Sequence, residues 1–285
     1  MKYNYSLPRN HGFTLVELSI VLMIIGLLVS GILVGKDMIR AAELRSITSE
    51  KDQIQTAVYL FRNKYLGIPG DLTNATAFWG VMPTGTCSTT TGSGASGATG
   101  TQTCNGDGDG IMDLIFVANS NPEFMLFWQH LSNAGLIEGR YTGIWSGTSE
   151  TWGEDGGYYK SKFGNGSWYY PNNYAALHSS GVVPITDLDF FQGDDYGNTL
   201  VFARGTGPTD THLVMNFIVL TPSEAWGIDK KIDDGLPGVG KIVTRERNGI
   251  NCNSLASSAT TPAASYSYNL SYEGIACELE FKNMW

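Results

Sequence analysis

Residues 12–36 read GFTLVELSIVLMIIGLLVSGILVGK, and a single charge, Glu17, interrupts the 23-residue apolar run from Phe13 to Gly35. As a helix rising 1.5 Å per residue, that run is about 34 Å long, enough to cross a bilayer core of about 30 Å. It is longer than a signal-peptide h-region, and no A-x-A-like cleavage site follows it. An acidic residue at the centre of a membrane helix costs roughly 2.5–3.5 kcal/mol. Glu17 therefore needs either a partner charge or a place at the interface. Lys2 and Arg9 precede the run. By the positive-inside rule they stay cytoplasmic, and everything after Lys36 lies outside.

The helical pattern continues past the apolar run. Residues 36–66, KDMIRAAELRSITSEKDQIQTAVYLFRNKYL, contain neither Pro nor Gly. Ile47, Ile54, Val58, Phe61 and Tyr65 form one stripe, while Glu43, Arg45, Glu50, Lys51, Asp52, Arg62 and Lys64 fall on the other faces. Gly67, Pro69 and Gly70 then stop the helix. The expectation is one helix over 13–66, roughly 80 Å long. Its first half (13–35) is apolar all round and spans the membrane. Its second half is amphipathic and requires a packing partner.

Gly12-Phe13-Thr14-Leu15-Val16-Glu17, after a short basic leader and before an unbroken apolar helix, resembles the processing site of type IV prepilins and type II secretion pseudopilins. The resemblance covers residues 1 to about 66. It implies that a prepilin peptidase/methyltransferase cuts after Gly12, removing a 1–12 leader, and methylates the new N-terminus of Phe13. It also implies that Glu17 is the assembly residue, that the partners are other pilin or pseudopilin subunits, and that an inner-membrane assembly platform handles them. Residues 65–71, 78–80 and 228–241 are similar to stretches of large bacterial pilin-like proteins. Val34 stands where many major pilins carry a helix-kinking proline. Electrostatics agrees with the resemblance. A cationic amine on Phe13 and a carboxylate four residues along are each costly in low dielectric and much less so when paired between neighbouring subunits.

The remainder, 67–285, reads as an extracytoplasmic domain. The chain holds 35 glycines in 285 residues, above the usual ~7%, and most follow residue 66. Short strands and long loops suit that composition. The expected fold is α+β and pilin-like: the long helix packed against an antiparallel sheet with large loops. Segments 200–205 and 212–220 are expected to form a hairpin, and 240–248 and 275–283 two further strands. Residues 121–137 are expected to form a short helix packed by Phe124, Phe127, Trp128 and Leu131. Residues 221–237 are expected to form another, with a capping box at Thr221 and Glu224. Residues 84–103 are low in complexity and read as a loop. Aromatic-rich 140–180 reads as a loopy subdomain or, alternatively, a partner surface.

Four cysteines, Cys87, Cys104, Cys252 and Cys277, all follow the apolar run. An even count outside the cytoplasm indicates two disulfides. Three pairings exist, and the nearest-neighbour set, Cys87–Cys104 and Cys252–Cys277, is the one expected. Asn105-Gly106-Asp107-Gly108-Asp109-Gly110-Ile111-Met112-Asp113 places oxygen ligands at relative positions 1, 3, 5 and 9, glycine at 6 and a backbone carbonyl at 7. That is most of an EF-hand-type calcium loop. Position 12 is Phe116, so another acid or water must complete the shell.

Other chemistry is thin. A net charge of −9 with no basic stripe argues against nucleic acid. His11, His130, His178 and His212 show no paired-ligand spacing, and no nucleophile elbow or P-loop appears. The pairs Asp187/Asp189 and Asp194/Asp195 read as solvated carboxylates. The sequons at Asn74, Asn165 and Asn269 are short patterns that a Ser/Thr-rich chain carries by chance. No enzymatic activity is expected. Three readings stand: a filament subunit of the type IV pilin kind, a pseudopilin of a type II secretion system, and a membrane-anchored extracytoplasmic binding module or enzyme. The first two place the protein as a single-pass inner-membrane subunit and then in a surface or periplasmic filament.

Overall fold

The computed structural model describes residues 13–82, 87, 100–112, 122–144, 158–164, 166–172, 197–204, 218–244, 251–254 and 265–285. The chain divides into two compact units, Met1–Arg45 and Ser46–Trp285. Helix α1 (Leu15–Tyr65) runs from the first into the second. In the first unit every residue from Phe13 to Val34 is exposed. The helix is long and apolar enough to cross a membrane, and none of its apolar window is buried.

In the second unit α1 buries one stripe: Ile47, Glu50, Ile54, Ala57, Val58 and Phe61. The apolar members are those the spacing predicts, with Tyr65 half-buried at the end. Glu50 is a correction. It is only 2% exposed, not on a solvent face. Its Oε2 accepts from the Ser161 hydroxyl at 2.6 Å and the Trp168 indole N–H at 2.7 Å, and its Oε1 from the Lys162 amide at 2.8 Å. A carboxylate can enter a core when it is this fully hydrogen-bonded. The helix ends where Leu66 turns left-handed (φ 59°), immediately before the Gly/Pro segment.

Five strands form one antiparallel sheet: β1 (Tyr159–Lys160), β2 (Gly166–Asn172), β3 (Thr199–Arg204), β4 (Ile242–Val243) and β5 (Leu279–Phe281), in the order β1-β2-β3-β5-β4. The 140–180 region thus contributes β1 and β2, where a loopy subdomain was one expectation. Trp168 from β2 packs against Phe202 of β3 and Phe281 of β5. The expected 200–205/212–220 hairpin differs too. β3 pairs with β2 on one side, and its Leu200–Phe202 pair with β5 on the other. Leu220 bridges to Cys277 instead, and 212–217 lie outside the described residues.

Among the described residues, three short helices complete the unit: α2 (Ala75–Trp79), α3 (Glu123–Asn133) and α4 (Pro222–Ile232). Helix α3 is buried almost all round, and Phe124, Phe127, Trp128 and Leu131 are each fully buried. Burying side chains of this size contributes about 1.5–3 kcal/mol apiece. Helix α4 starts with the expected capping box, Thr221 Oγ1 accepting from the Glu224 amide and the Glu224 carboxylate accepting from the Thr221 amide. The disulfides join Cys87 to Cys104 and Cys252 to Cys277.

Candidate functional site

Two groups of residues carry chemistry suggested by the sequence. The first is the start of α1. Thr14 caps the helix: the Glu17 amide donates to Thr14 Oγ1 at 3.2 Å. In return, Glu17 Oε2 accepts from the Thr14 amide and the Thr14 hydroxyl, each at 2.9 Å. This is a capping box, in which residues three apart satisfy each other's orphan groups. The same T-x-x-E signature that marks α4 is present here. Thr14 was legible as the cap, yet the sequence reading gave it no role. Phe13 is 91% exposed beside this cap, and Gly12 lies outside the described residues. Glu17 is therefore held at the end of its own helix, one turn from Phe13.

The second group surrounds the acidic loop. Cys104, tied to Cys87, leads directly into Asn105. Asp107 and Asp109 are exposed, and their carboxylates converge with that of buried Asp71, ligand atoms lying within 4.8 Å of one another. Asp71 is the acid the sequence reading lacked. No local spacing connects it to the loop, because it follows α1 and reaches the site only through the fold. Its carboxylate accepts from the Gly108 amide at 2.5 Å and the Gly110 amide at 2.9 Å. Burial, reinforced by Asp107 and Asp109, pushes Asp71 up to about 6 despite those two donors. Gly110 has φ 84°, as the sharp turn requires. Buried Glu123 also reaches the loop, accepting from the Asp107 amide at 3.0 Å.

The donor set departs from the EF-hand pattern. Asn105 Oδ1 accepts from the Thr76 amide at the start of α2. Asp113 lies outside the described residues. Around this loop, among the described residues, Asp107, Asp109 and Asp71 are the acidic side chains placed to hold a cation, with the Ile111 carbonyl next in the loop. Behind them, His130 is fully buried. Its Nδ1 accepts from the Gly70 amide, and its Nε2 pairs with the Thr103 hydroxyl, each at 2.9 Å. Phe61 and Trp79 stack on the ring. Burial pushes His130 down to about 3, so the ring is neutral and structural. His11, His178, His212 and the Asp187/Asp189 and Asp194/Asp195 pairs lie outside the described residues.

With this geometry in place, the comparisons identify the N-terminal segment. Residues 7–33 match the family model described as the prokaryotic N-terminal methylation motif, the signature of type IV prepilins and pseudopilins. The long apolar helix and antiparallel domain fit a pilin-like α+β architecture. No curated protein and no solved structure matches the chain.

Proposed function

We propose that this chain is a filament subunit of the type IV pilin kind, cut after Gly12, methylated on Phe13 and assembled through its apolar helix. The observation that carries this reading is the methylation motif over 7–33 running straight into a fully exposed apolar helix. Before assembly the helix lies in the inner membrane with the 46–285 unit outside; afterwards it packs with its counterparts. The Phe13 amine of one subunit neutralises the Glu17 carboxylate of a neighbour, so the cost of Glu17 in lipid becomes a bias toward association. A type II secretion pseudopilin uses the same physics in a shorter filament, and imaging the filaments separates the two. Gly12→Glu abolishes leader removal and assembly in either case, whereas a plain anchor is indifferent to it. Glu17→Ala leaves cleavage intact and blocks incorporation; full assembly of that variant would sink the pairing.

A second reading concerns the acidic loop, which on this proposal takes calcium through Asp71, Asp107, Asp109 and the Ile111 carbonyl. Three carboxylates this close repel one another, and a divalent cation offsets the repulsion. Asp71 supplies the acid that Phe116 cannot. Calcium should raise the melting temperature of the detergent-solubilised chain, and Asp107→Asn should remove the increment. An unchanged melting temperature in EDTA and in calcium rules the cation out.

A further inference from the structure

Far from both groups in sequence, a second set of carboxylates sits on the end of α4. Asp229 is fully buried. Its Oδ1 accepts from the Gly235 amide at 3.2 Å and its Oδ2 from the Tyr268 hydroxyl at 2.7 Å. Asp233 and Asp234, on the loop leaving α4, bring carboxylate oxygens within 4.8 Å of Asp229 and of each other. Asp233 accepts from the Lys241 and Ile242 amides and Asp234 from the Leu236 amide. None of the three carboxylates forms an ion pair among the described residues. The nearby Lys230 ammonium lies over the Trp226 ring instead, 4.5 Å from its centroid.

The groups facing Asp229 are thus acidic or neutral: Asp233 and Asp234 from its own loop, and Tyr268 from the opposite segment. Tyr268 is itself held by the Thr244 side chain, just past β4. It also bridges to Asn253, one residue beyond Cys252, whose disulfide partner Cys277 leads into β5. The Asp229–Tyr268 bond therefore ties α4 to the segment that the second disulfide closes. Leu270, Tyr272 and Ile275 of that segment are exposed.

We propose that Asp229 and Tyr268 form a proton-operated latch that holds the disulfide-closed C-terminal segment on α4. Three adjacent carboxylates cannot all ionise cheaply when one of them is out of water. A shared proton relieves the repulsion and leaves both bonds to Asp229 intact. Without it, the buried charge is relieved by hydration, which requires the segment to lift. Burial first, with Asp234 and Asp233 adding to it, pushes Asp229 up to about 7 against the lowering effect of its Tyr268 and Gly235 donors. A carboxyl raised in the closed state contributes stability that is complete below its ordinary value of 3.8 and is lost as pH rises through about 7. Within that window the closed-to-open ratio falls by up to about tenfold per pH unit. The latch fixes the apolar surface of residues 270–275 in mild acid and loosens it above neutrality. It is independent of whether the chain builds a pilus or a secretion filament.

The test is amide hydrogen exchange of the detergent-solubilised full chain in EDTA between pH 5 and 8, corrected for intrinsic rates. Protection of residues 265–277 should fall with rising pH in the wild type and stay level in Asp229→Asn, which should be the better protected of the two at pH 8. Tyr268→Phe should lower protection at every pH. In the Asp233→Asn/Asp234→Asn double variant, which leaves Asp229 in place, the fall should end at lower pH and be smaller. Parallel falls in wild type and Asp229→Asn, or uniformly lower protection in Asp229→Asn, would show a plain structural acceptor and overturn the latch. An unmoved profile in the double variant overturns it as well.

Discussion

Two glutamates on one helix meet opposite fates, and each fate follows from which donors lie within reach. Glu17 is exposed and bonded only to its own N-cap, Thr14. Those bonds are local and easily exchanged, which suits the carboxylate proposed to pair with a charge on another subunit. Thr14→Ala removes the cap, at a typical cost of about 1 kcal/mol. It should reduce helicity at the N-terminus and slow incorporation into filaments without preventing cleavage; pulse-labelled assembly measures this. Glu50 is buried and bonded to three donors from β2 and the turn between β1 and β2. Glu50→Gln keeps the shape but loses the charge and one acceptor geometry, and should cost about 1–3 kcal/mol, read as a lowered midpoint in chemical denaturation. The position of Glu50 was legible. The predicted stripe jumps seven residues from Ile47 to Ile54, and a helix face cannot skip two turns, so a residue near 50 had to face inward. Residue type pointed the other way, because its donors, Ser161 and Trp168, lie more than a hundred positions downstream.

At the scale of elements, local rules were read correctly and long-range pairing was not. The start of α4 was visible as T-P-S-E, and the capping box forms as expected. Thr221→Ala should destabilise the 46–285 unit by about 1 kcal/mol, while Thr221→Ser should restore it; paired denaturation curves decide. The extent of α1 was likewise legible from apolar period and Gly/Pro stops, and the presence of α3 from its apolar residues, though α3 spans Glu123–Asn133 rather than the expected 121–137. Strand partners were not. β3 was assigned to its nearest strand-like neighbour in sequence, but its edges are filled by β2 from before it and β5 from near the C-terminus. Nothing in a strand's own residues names its partner when connections are long. The same limit hid Asp71, which joins the acidic loop only because Gly70 brings the chain against α3. A Cβ on Gly70 would stand 2.4 Å from the Glu123 carbonyl oxygen, and its φ of 90° already excludes most side chains. The motif at residues 7–33 was the most legible feature of all, since its meaning lies in contiguous residues.

The behaviour of the whole molecule in acid turns on His130, where three parts of the fold meet. The Gly70 turn donates to its Nδ1, Thr103 pairs with its Nε2, and the Thr103 hydroxyl donates to Gln129 Oε1 at 2.6 Å. Gln129 in turn donates to the carbonyls of Gln102 and Thr142. With Nδ1 accepting, the neutral ring must carry its proton on Nε2, and a second proton would break the Gly70 bond and bury a charge between Phe61 and Trp79. Burial holds His130 down at about 3 in the fold, against an ordinary 6.5. The unfolded chain therefore binds the extra proton first. Stability from this residue is complete above about 6.5 and drains away as pH falls toward 3, at up to about 1.4 kcal/mol per pH unit. His130→Gln cannot protonate. It should be less stable than wild type at pH 7.5, having lost ring stacking and one bond, and the gap should narrow steadily toward pH 4. Denaturant midpoints of both proteins, taken in EDTA so that the acidic loop contributes equally, measure that gap. A gap of constant size from pH 7.5 to 4 would mean that the ring reaches water and that the network around it opens well before the fold does.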